Sequence, residues 1–339
     1  MGIEAGLALA ALLLTGATYV AVAQPWVLPL ELVEPGATGR RVVSSEIFGN
    51  YYPAPGPGRH PAILLVGGSE GGIGRHVSSD ARALQAEGFT VFNISFFRAA
   101  GQREALIEIP LETFDHALEW LKQQPAADPE KLAMVGNSKG AEAALLVATR
   151  RKDLRAVVAG VPSSYVWPGF DWSRMGAVAQ SSWSSGGIPL PALPLGPFSF
   201  SGGLRSVYES GLARRAEHPE AAIPIERSQA AVLLVCGGRD QVWPSCEMSL
   251  QLKERAEAHG GPRLHVISYP AADHGAFGSP GPAPRRYGFS PEPQASREAR
   301  ADGWPKVVRF LKSSMEQPAS EAPLGQGGLG SATPQPVQQ

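Results

Sequence analysis

Serine, aspartate and histidine occur in this chain in an order that could support nucleophilic acyl chemistry. A serine hydroxyl is a poor nucleophile near neutral pH, so a catalytic one needs a base beside it and donors aimed at the developing oxyanion. A strand-to-helix elbow of the form Gly-x-Ser-x-Gly provides that setting, its glycines clearing space around a tight turn. The pattern occurs twice, at Gly67-Gly68-Ser69-Glu70-Gly71 and at Gly136-Asn137-Ser138-Lys139-Gly140. With 39 glycines the five letters recur easily, so context has to separate the two. Ser138 follows the apolar run Leu132 to Val135 and leads directly into "KGAEAALLVATRR", a run of good helix formers. Ser69 leads instead into Gly71, Gly72 and Gly74, which disfavour a helix and suit a loop exposing backbone N–H groups. Ser138 is therefore expected to be the nucleophile, against a reading as a plain helix N-cap. The loop Gly67 to Gly72 is expected to supply one oxyanion donor, from Gly68 or Ser69, and the amide of Lys139 the other.

The partners should follow in the order acid, then histidine. Asp240 lies in "CGGRDQVWPS", just beyond the apolar run Ala231 to Cys236, where the carboxyl end of a strand would deliver it to the same rim as Ser138. It could instead serve only the dipole of the helix expected from Ser245. His274 follows the next apolar run in "PAADHGAFG", on a loop with Gly275 behind it. His265 falls within that run and His259 at the end of a helix, so both are expected to be packing or surface residues. Asp273 is the rival acid, but neighbouring residues rarely point at one another, and it is expected to be a solvated loop charge. In this assignment His274 takes the Ser138 proton and later returns it to the leaving group, while Asp240 fixes the tautomer of His274 and stabilises the imidazolium.

The elements that must position these residues alternate in type. Short, nearly continuous apolar runs at Ala62 to Val66, Thr90 to Phe96, Leu132 to Val135, Ala156 to Val161, Ala231 to Cys236 and Leu264 to Tyr269 read as strands buried on both faces. Helical patterns lie between them, at about His76 to Glu87, Leu111 to Gln123, Lys139 to Arg150 and Ser245 to His259, with a last near Trp304 to Met315. The repeated order implies an α/β fold, a mostly parallel sheet flanked by helices. Residues 162–223, rich in Pro, Gly, Ser and Trp, interrupt the rhythm and read either as a surface excursion or as a lid over the strand ends.

The 339 residues are 43% hydrophobic and carry a net charge of −1, so a substantial core is expected and a nucleic-acid partner is not. The two cysteines, Cys236 and Cys246, cannot build a disulfide scaffold or a four-cysteine zinc site. Cys236 is expected to be a buried small hydrophobe and Cys246 a helix residue, rather than a bonded pair. With the histidines scattered and no HExxH pair, neither a metal nor a cofactor is expected. Residues 1–30 read as an apolar export signal or membrane anchor, because Ala5 to Leu30 carries no charged side chain. "AVA" at Ala21 to Ala23 fits a signal cleavage site, although Glu4 and the lack of Lys or Arg ahead of the run depart from the usual pattern. A connecting segment is expected over 31–58, the hydrolase-like unit over 59–316 and a disordered Pro/Gly/Gln-rich tail over 317–339.

The stretch from about Arg59 to Ser313 resembles the catalytic domain of the acyl-CoA thioesterase and bile acid-CoA:amino acid N-acyltransferase family, within the α/β-hydrolase fold. The resemblance rests on the elbow "GNSKGAE", on "IPIERSQAAVLLVCGGRDQVWPS" and on the stretch ending "YPAADHG", with Lys139, Glu142 and Trp243 making it narrower than a general hydrolase match. It implies a small acyl thioester or ester substrate, a triad of Ser138, Asp240 and His274, and an acyl group passed to water or an amino acid. Ser138 stands where the family's transferases have cysteine, which favours water. The span from Val33 to Arg59 is too short for the β-sandwich that precedes this domain in the family. Two alternatives stand beside a thioesterase. One is a carboxylesterase or a dienelactone-hydrolase-like esterase or peptidase; the other is a non-catalytic, membrane-tethered binding protein. The sequence leaves the oligomeric state open.

Overall fold

A computed structural model of the chain describes residues 30–171, 176–198, 201–281 and 293–316. Its centre is an eight-stranded sheet whose strands, labelled in chain order, are β1 Arg40–Val43, β2 Phe48–Tyr52, β3 His60–Val66, β4 Thr90–Ser95, β5 Ala127–Asn137, β6 Leu154–Gly160, β7 Ala231–Gly237 and β8 Leu264–Tyr269. Their spatial order is β1-β2-β4-β3-β5-β6-β7-β8. From β4 to β8 every pairing is parallel, while β2 pairs antiparallel with both β1 and β4. The expected connecting segment 31–58 is therefore corrected: it contributes two strands to the same sheet.

The parallel strands lie between two helical layers, and alternate side chains of one strand serve opposite layers. Leu64 and Val66 of β3 join the cluster that contains Leu118 of α2 (Glu112–Lys122), Leu145 of α3 (Lys139–Ala148) and Leu252 of α5 (Ser245–Ala258). Ile63 and Leu65 join the opposite cluster, with Leu84 of α1 (Arg75–Ala86) and with Trp304 and Leu311 of α6 (Gln294–Glu316). Burial on both faces explains why β3 to β7 read as continuous apolar runs rather than as alternating ones; β8, expected to be buried likewise, is a half-exposed edge strand.

The interruption at 162–223 holds short strands at Pro168–Asp171, Gly176–Ser181, Trp183–Ser185 and Ile188–Pro189 and a helix α4 at Gly203–Ala213. It is docked against the first turn of α3 and the loop after β7, at the carboxyl edge of the sheet. Its Trp167 and Trp183 bond to Glu142 of α3, and its Arg205 to the backbone of Asp240. The expected export segment falls on residues 1–29 with Leu30, and the expected tail on 317–339; residues 1–29 and 317–339 lie outside the described residues. Among the described residues no helix is long and apolar enough to cross a membrane.

Candidate active site

Ser138 sits between β5 and α3 with φ 55° and ψ −119°, a left-handed conformation costly for a residue with a side chain. Close packing holds it there. A Cβ on Gly136 would lie 2.1 Å from the carbonyl oxygen of Gly140, and a Cβ on Gly140 would lie 2.1 Å from that of Gly67. Only glycines at both positions let strand, helix and the loop after β3 approach this closely. The Ser138 N–H donates to the carbonyl of Gly160 at the end of β6 (2.9 Å), which ties the elbow to the neighbouring strand.

The structure brings Ser138, His274 and Asp240 together. His274 Nε2 lies 2.9 Å from Ser138 Oγ, and its Nδ1 lies 2.9 and 2.8 Å from the two carboxylate oxygens of Asp240. All three side chains are buried, and Ser138 retains 8% exposure. Asp240 Oδ1 also accepts the N–H groups of Val242 (2.9 Å) and Trp243 (3.2 Å). Burial pushes the Asp240 carboxyl upward, but the adjacent His274 and the hydrogen bonds outweigh it and hold the pKa below the ordinary value. Trp243 packs its ring edge to face against His274, with centroids 5.6 Å apart, and donates its Nε1–H to Val161 O (3.0 Å).

Of the nominated oxyanion donors, Lys139 opens α3, where a first-turn N–H has no intrahelical acceptor. The loop after β3 differs from expectation in one respect. The Gly68 N–H donates to Glu70 Oε1 (2.9 Å). Gly68 itself lies against the nucleophile, since a Cβ there would sit 3.3 Å from Ser138 Cβ. Burial pushes the Glu70 carboxyl up, but His76, 3.4 Å away, together with backbone donors brings its pKa below the ordinary value.

Two expectations about neighbouring residues are corrected. Asp273 is not a solvated charge: it is buried, and its carboxylate accepts the Gly275 N–H (2.7 Å) and the Ser296 hydroxyl. It thus shapes the loop that carries His274, with Arg300 of α6 donating to Gly275 O (3.0 Å). Cys236 and Cys246 are not independent residues but a disulfide, with Cα atoms 5.0 Å apart. Their ten-residue separation spans a strand end, a turn and a helix start, and nothing in that spacing shows that the helix returns to the strand. His265 is exposed on β8, the edge strand, with its ring 6.0 Å from that of Phe310, and His259 caps the end of α5, as expected of surface residues.

Sequence reasoning assigned no role to the charges beside the nucleophile. Lys139 and Glu142 form a buried ion pair (3.0 Å). Lys139 Nζ also donates to Ser182 Oγ (2.8 Å), while Glu142 Oε1 accepts the Trp167 N–H (3.0 Å) and Trp183 Nε1–H (2.8 Å). Burial pulls the Lys139 pKa down and pushes that of Glu142 up. The helix-turn spacing of the pair was visible; its partners across the 162–223 segment were not.

The family model described as BAAT / Acyl-CoA thioester hydrolase C terminal matches residues 109–280, slightly over half of the 339-residue chain. Human acyl-coenzyme A thioesterase 6 is 25% identical over 293 residues, covering 83% of this chain and 66% of that protein. Mouse acyl-coenzyme A amino acid N-acyltransferase 2 is also 25% identical, over 71% of this chain and 55% of the relative. The chain thus spans two thirds or less of these relatives' length. Among solved structures, a puromycin-hydrolyzing peptidase of Mycobacterium tuberculosis aligns over 85% of this chain and 41% of its own, with a TM-score of 0.56 and 15% identity. The Pyrococcus horikoshii acylaminoacyl peptidase gives 0.55 and 14%, over 83% of this chain and 42% of its own. At such identities the likeness is one of fold, the α/β-hydrolase fold already visible in the strand order. With the elbow, the strand order and the match across 109–280 all in agreement, the chain belongs to the family of BAAT and acyl-CoA thioester hydrolase C-terminal domains.

Proposed function

We propose that this protein is a serine hydrolase that cleaves acyl thioesters of the acyl-CoA class through an acyl-enzyme. The observation that carries the reading is the continuous line of hydrogen bonds from Ser138 Oγ through His274 to the buried carboxylate of Asp240. In this scheme Ser138 Oγ attacks the thioester carbonyl carbon as its proton passes to His274 Nε2. The C–S bond then breaks and His274 returns the proton to the departing thiolate. Water, deprotonated by the same histidine, attacks the Ser138 ester; His274 returns that proton to Ser138 Oγ as the carboxylic acid leaves, which restores the free enzyme. Asp240 holds His274 in the tautomer whose Nε2 can accept, and stabilises the imidazolium. The amide of Lys139 and one from the loop after β3, that of Gly68 or Ser69, are the proposed oxyanion donors. Family membership supports the thioester as substrate class, and serine at the elbow supports water as the acceptor.

A fluorophosphonate probe and a hydrolysis panel test this reading. Wild type should label and Ser138→Ala should not; labelling that survives Ser138→Ala but is lost in Ser69→Ala would move the nucleophile to the other elbow. Acyl-CoAs of graded length should be hydrolysed faster than the matching p-nitrophenyl esters. The opposite ranking would favour a carboxylesterase, and absence of both labelling and turnover a binding protein.

We further propose that the protein is exported or membrane-attached. The disulfide supports this, since such bonds persist in oxidising compartments, as does the uncharged run Ala5 to Leu30. Cell fractionation with thiol alkylation tests it: a cytosolic protein with both thiols modified would overturn the assignment.

A further inference from the structure

We infer that the Cys236–Cys246 disulfide is a positioning device for the triad, closing the base of the loop that presents Asp240 to His274. The inference rests on the serine-hydrolase reading. Cys236 is the penultimate residue of β7, a strand held in the sheet by β6 on one side and β8 on the other, and Cys246 is the second residue of α5. Between them the chain leaves the sheet, presents Asp240, Val242 and Trp243, and returns. The bond joins the two ends of this excursion at a Cα separation of 5.0 Å.

The residues inside the loop explain why its closure bears on the reaction. The Asp240 carboxylate has no exposure, so it cannot recover a lost contact with His274 by reaching through solvent. Its Oδ1 is shared between His274 and two loop amides, those of Val242 and Trp243, and a shift of the loop moves all three bonds together. Further ties run outward: Arg239 N–H to Ala272 O (2.9 Å), Trp243 Nε1–H to Val161 O (3.0 Å) and Arg205 Nη1 to Asp240 O (2.7 Å). Each connects the loop to another loop or to the 162–223 segment. The disulfide fixes the loop to its own strand and helix covalently, beside two longer hydrogen bonds to Gly237 O, from the Asp240 N–H (3.3 Å) and the Ser245 hydroxyl (3.5 Å). A cross-link over so short a stretch removes less unfolded-chain entropy than one closing a long loop. Its placement around the acid therefore accounts for more than a general stabilising role does.

The bond is chemically reachable. Cys236 is fully buried, but Cys246 is half-buried, with its sulfur 3.4 Å from Ser268 Oγ on the edge strand β8. A water-soluble phosphine such as tris(2-carboxyethyl)phosphine attacks one sulfur and releases the other as thiolate. Water then displaces the bound cysteine, giving the phosphine oxide and two protonated thiols, with phosphorus oxidised by two electrons and the disulfide reduced by two.

The test compares oxidised wild type, phosphine-reduced wild type and the pair Cys236→Ala/Cys246→Ala, each also in an Asp240→Asn background, on p-nitrophenyl acetate. Circular dichroism checks the fold, and mass spectrometry after alkylation counts the thiols. Loss of the bond should lower kcat about tenfold or more, part of the roughly 10⁴-fold loss expected when the acid is removed outright. KM should stay within about twofold, because Asp240 touches His274 and not the substrate, and reoxidation should restore kcat. In the Asp240→Asn background the same removal should change kcat less than about twofold. Unchanged kcat in folded protein with both thiols alkylated overturns the inference, as does an equal loss of kcat in the Asp240→Asn background. Free thiols in protein isolated without reductant also overturn it. If the alanine pair does not fold, reduction of the folded wild type decides alone. Failure of oxidised wild type to label at Ser138 would instead defeat the serine-hydrolase reading, so the two failures are distinct.

Discussion

Replacing Lys139 by methionine should destabilise the protein far more than its distance from solvent-exposed charge would suggest. Methionine has nearly the volume of the lysine stem, so packing is largely kept; what disappears is the ammonium. Glu142 is left with no exposure and two neutral donors, the Trp167 amide and the Trp183 indole, as the partners of one carboxylate oxygen. Removing one member of a buried pair in this way costs about 3–5 kcal/mol, because the surviving charge is neither hydrated nor neutralised. At about 2.1 cal/mol/K of unfolding entropy per residue, each kcal/mol moves Tm of a chain this size by roughly 1.4 °C, so a loss of roughly 4–7 °C is expected. The double change Lys139→Met/Glu142→Gln removes both charges while the glutamine oxygen still accepts the two tryptophan donors. It should therefore be more stable than Lys139→Met alone, with a coupling of at least about 2 kcal/mol in a urea-unfolding cycle. If Lys139→Met costs under about 1 kcal/mol, or the double variant costs the sum of the singles, the account of a dry, mutually dependent pair is wrong.

Asp240→Asn should reduce kcat by about 10⁴, the size of the equivalent change in the serine-protease triad, with an unchanged circular dichroism spectrum; stopped-flow turnover within tenfold of wild type would place the acid elsewhere. Gly140→Ala should fail to give stable protein, or melt well below wild type, since its methyl would lie 2.1 Å from Gly67 O and must push the loop after β3 off the elbow. An unchanged melt would mean that this approach is looser than described. The pH dependence of stability follows from carboxylates such as Asp153. Burial raises its pKa, but hydrogen bonds from Arg151 and Lys122 outweigh burial and leave it lowered. A carboxylate lowered on folding contributes fully above its unfolded value, about pH 4, and loses that contribution as pH falls through the folded value. Denaturation midpoints should therefore drop below about pH 4, and Asp153→Asn should flatten that decline; an identical slope in the variant would refute the assignment.

What the sequence disclosed depended on whether a feature was local. The strands β3 to β7 were visible because burial on both faces leaves few polar positions, and the elbow because steric demand at Gly136 and Gly140 writes itself as a spaced motif. Strands β1, "RRVV", and β2, "FGNYY", escaped notice because they are short and carry charge or polar groups, as suits strands near a sheet edge. Helix α6 was expected to begin near Trp304 but starts at Gln294. Its first turns bury Ser296, Ala299, Arg300 and Gly303, a small and polar face with no apolar stripe to detect. The disulfide and the partners of Glu142 join segments whose proximity only the fold decides.

Those non-local contacts have a common consequence for the site. Each triad residue lies on a connection at the carboxyl edge of the sheet, the place where backbone is least constrained by strand pairing, yet the geometry they need tolerates only small displacements. Each connection is accordingly fastened by buried polar or covalent ties to something rigid: Ser138 to Gly160 of β6, the Asp240 loop by its disulfide and Trp243, the His274 loop to Ser296 and Arg300 of α6. The polar first half of α6 that hid the helix from pattern reading is thus the surface that anchors the base. A helix face selected to bond a loop cannot also present an apolar stripe, so sequence periodicity fails where the fold turns from packing a core to holding a reactive group.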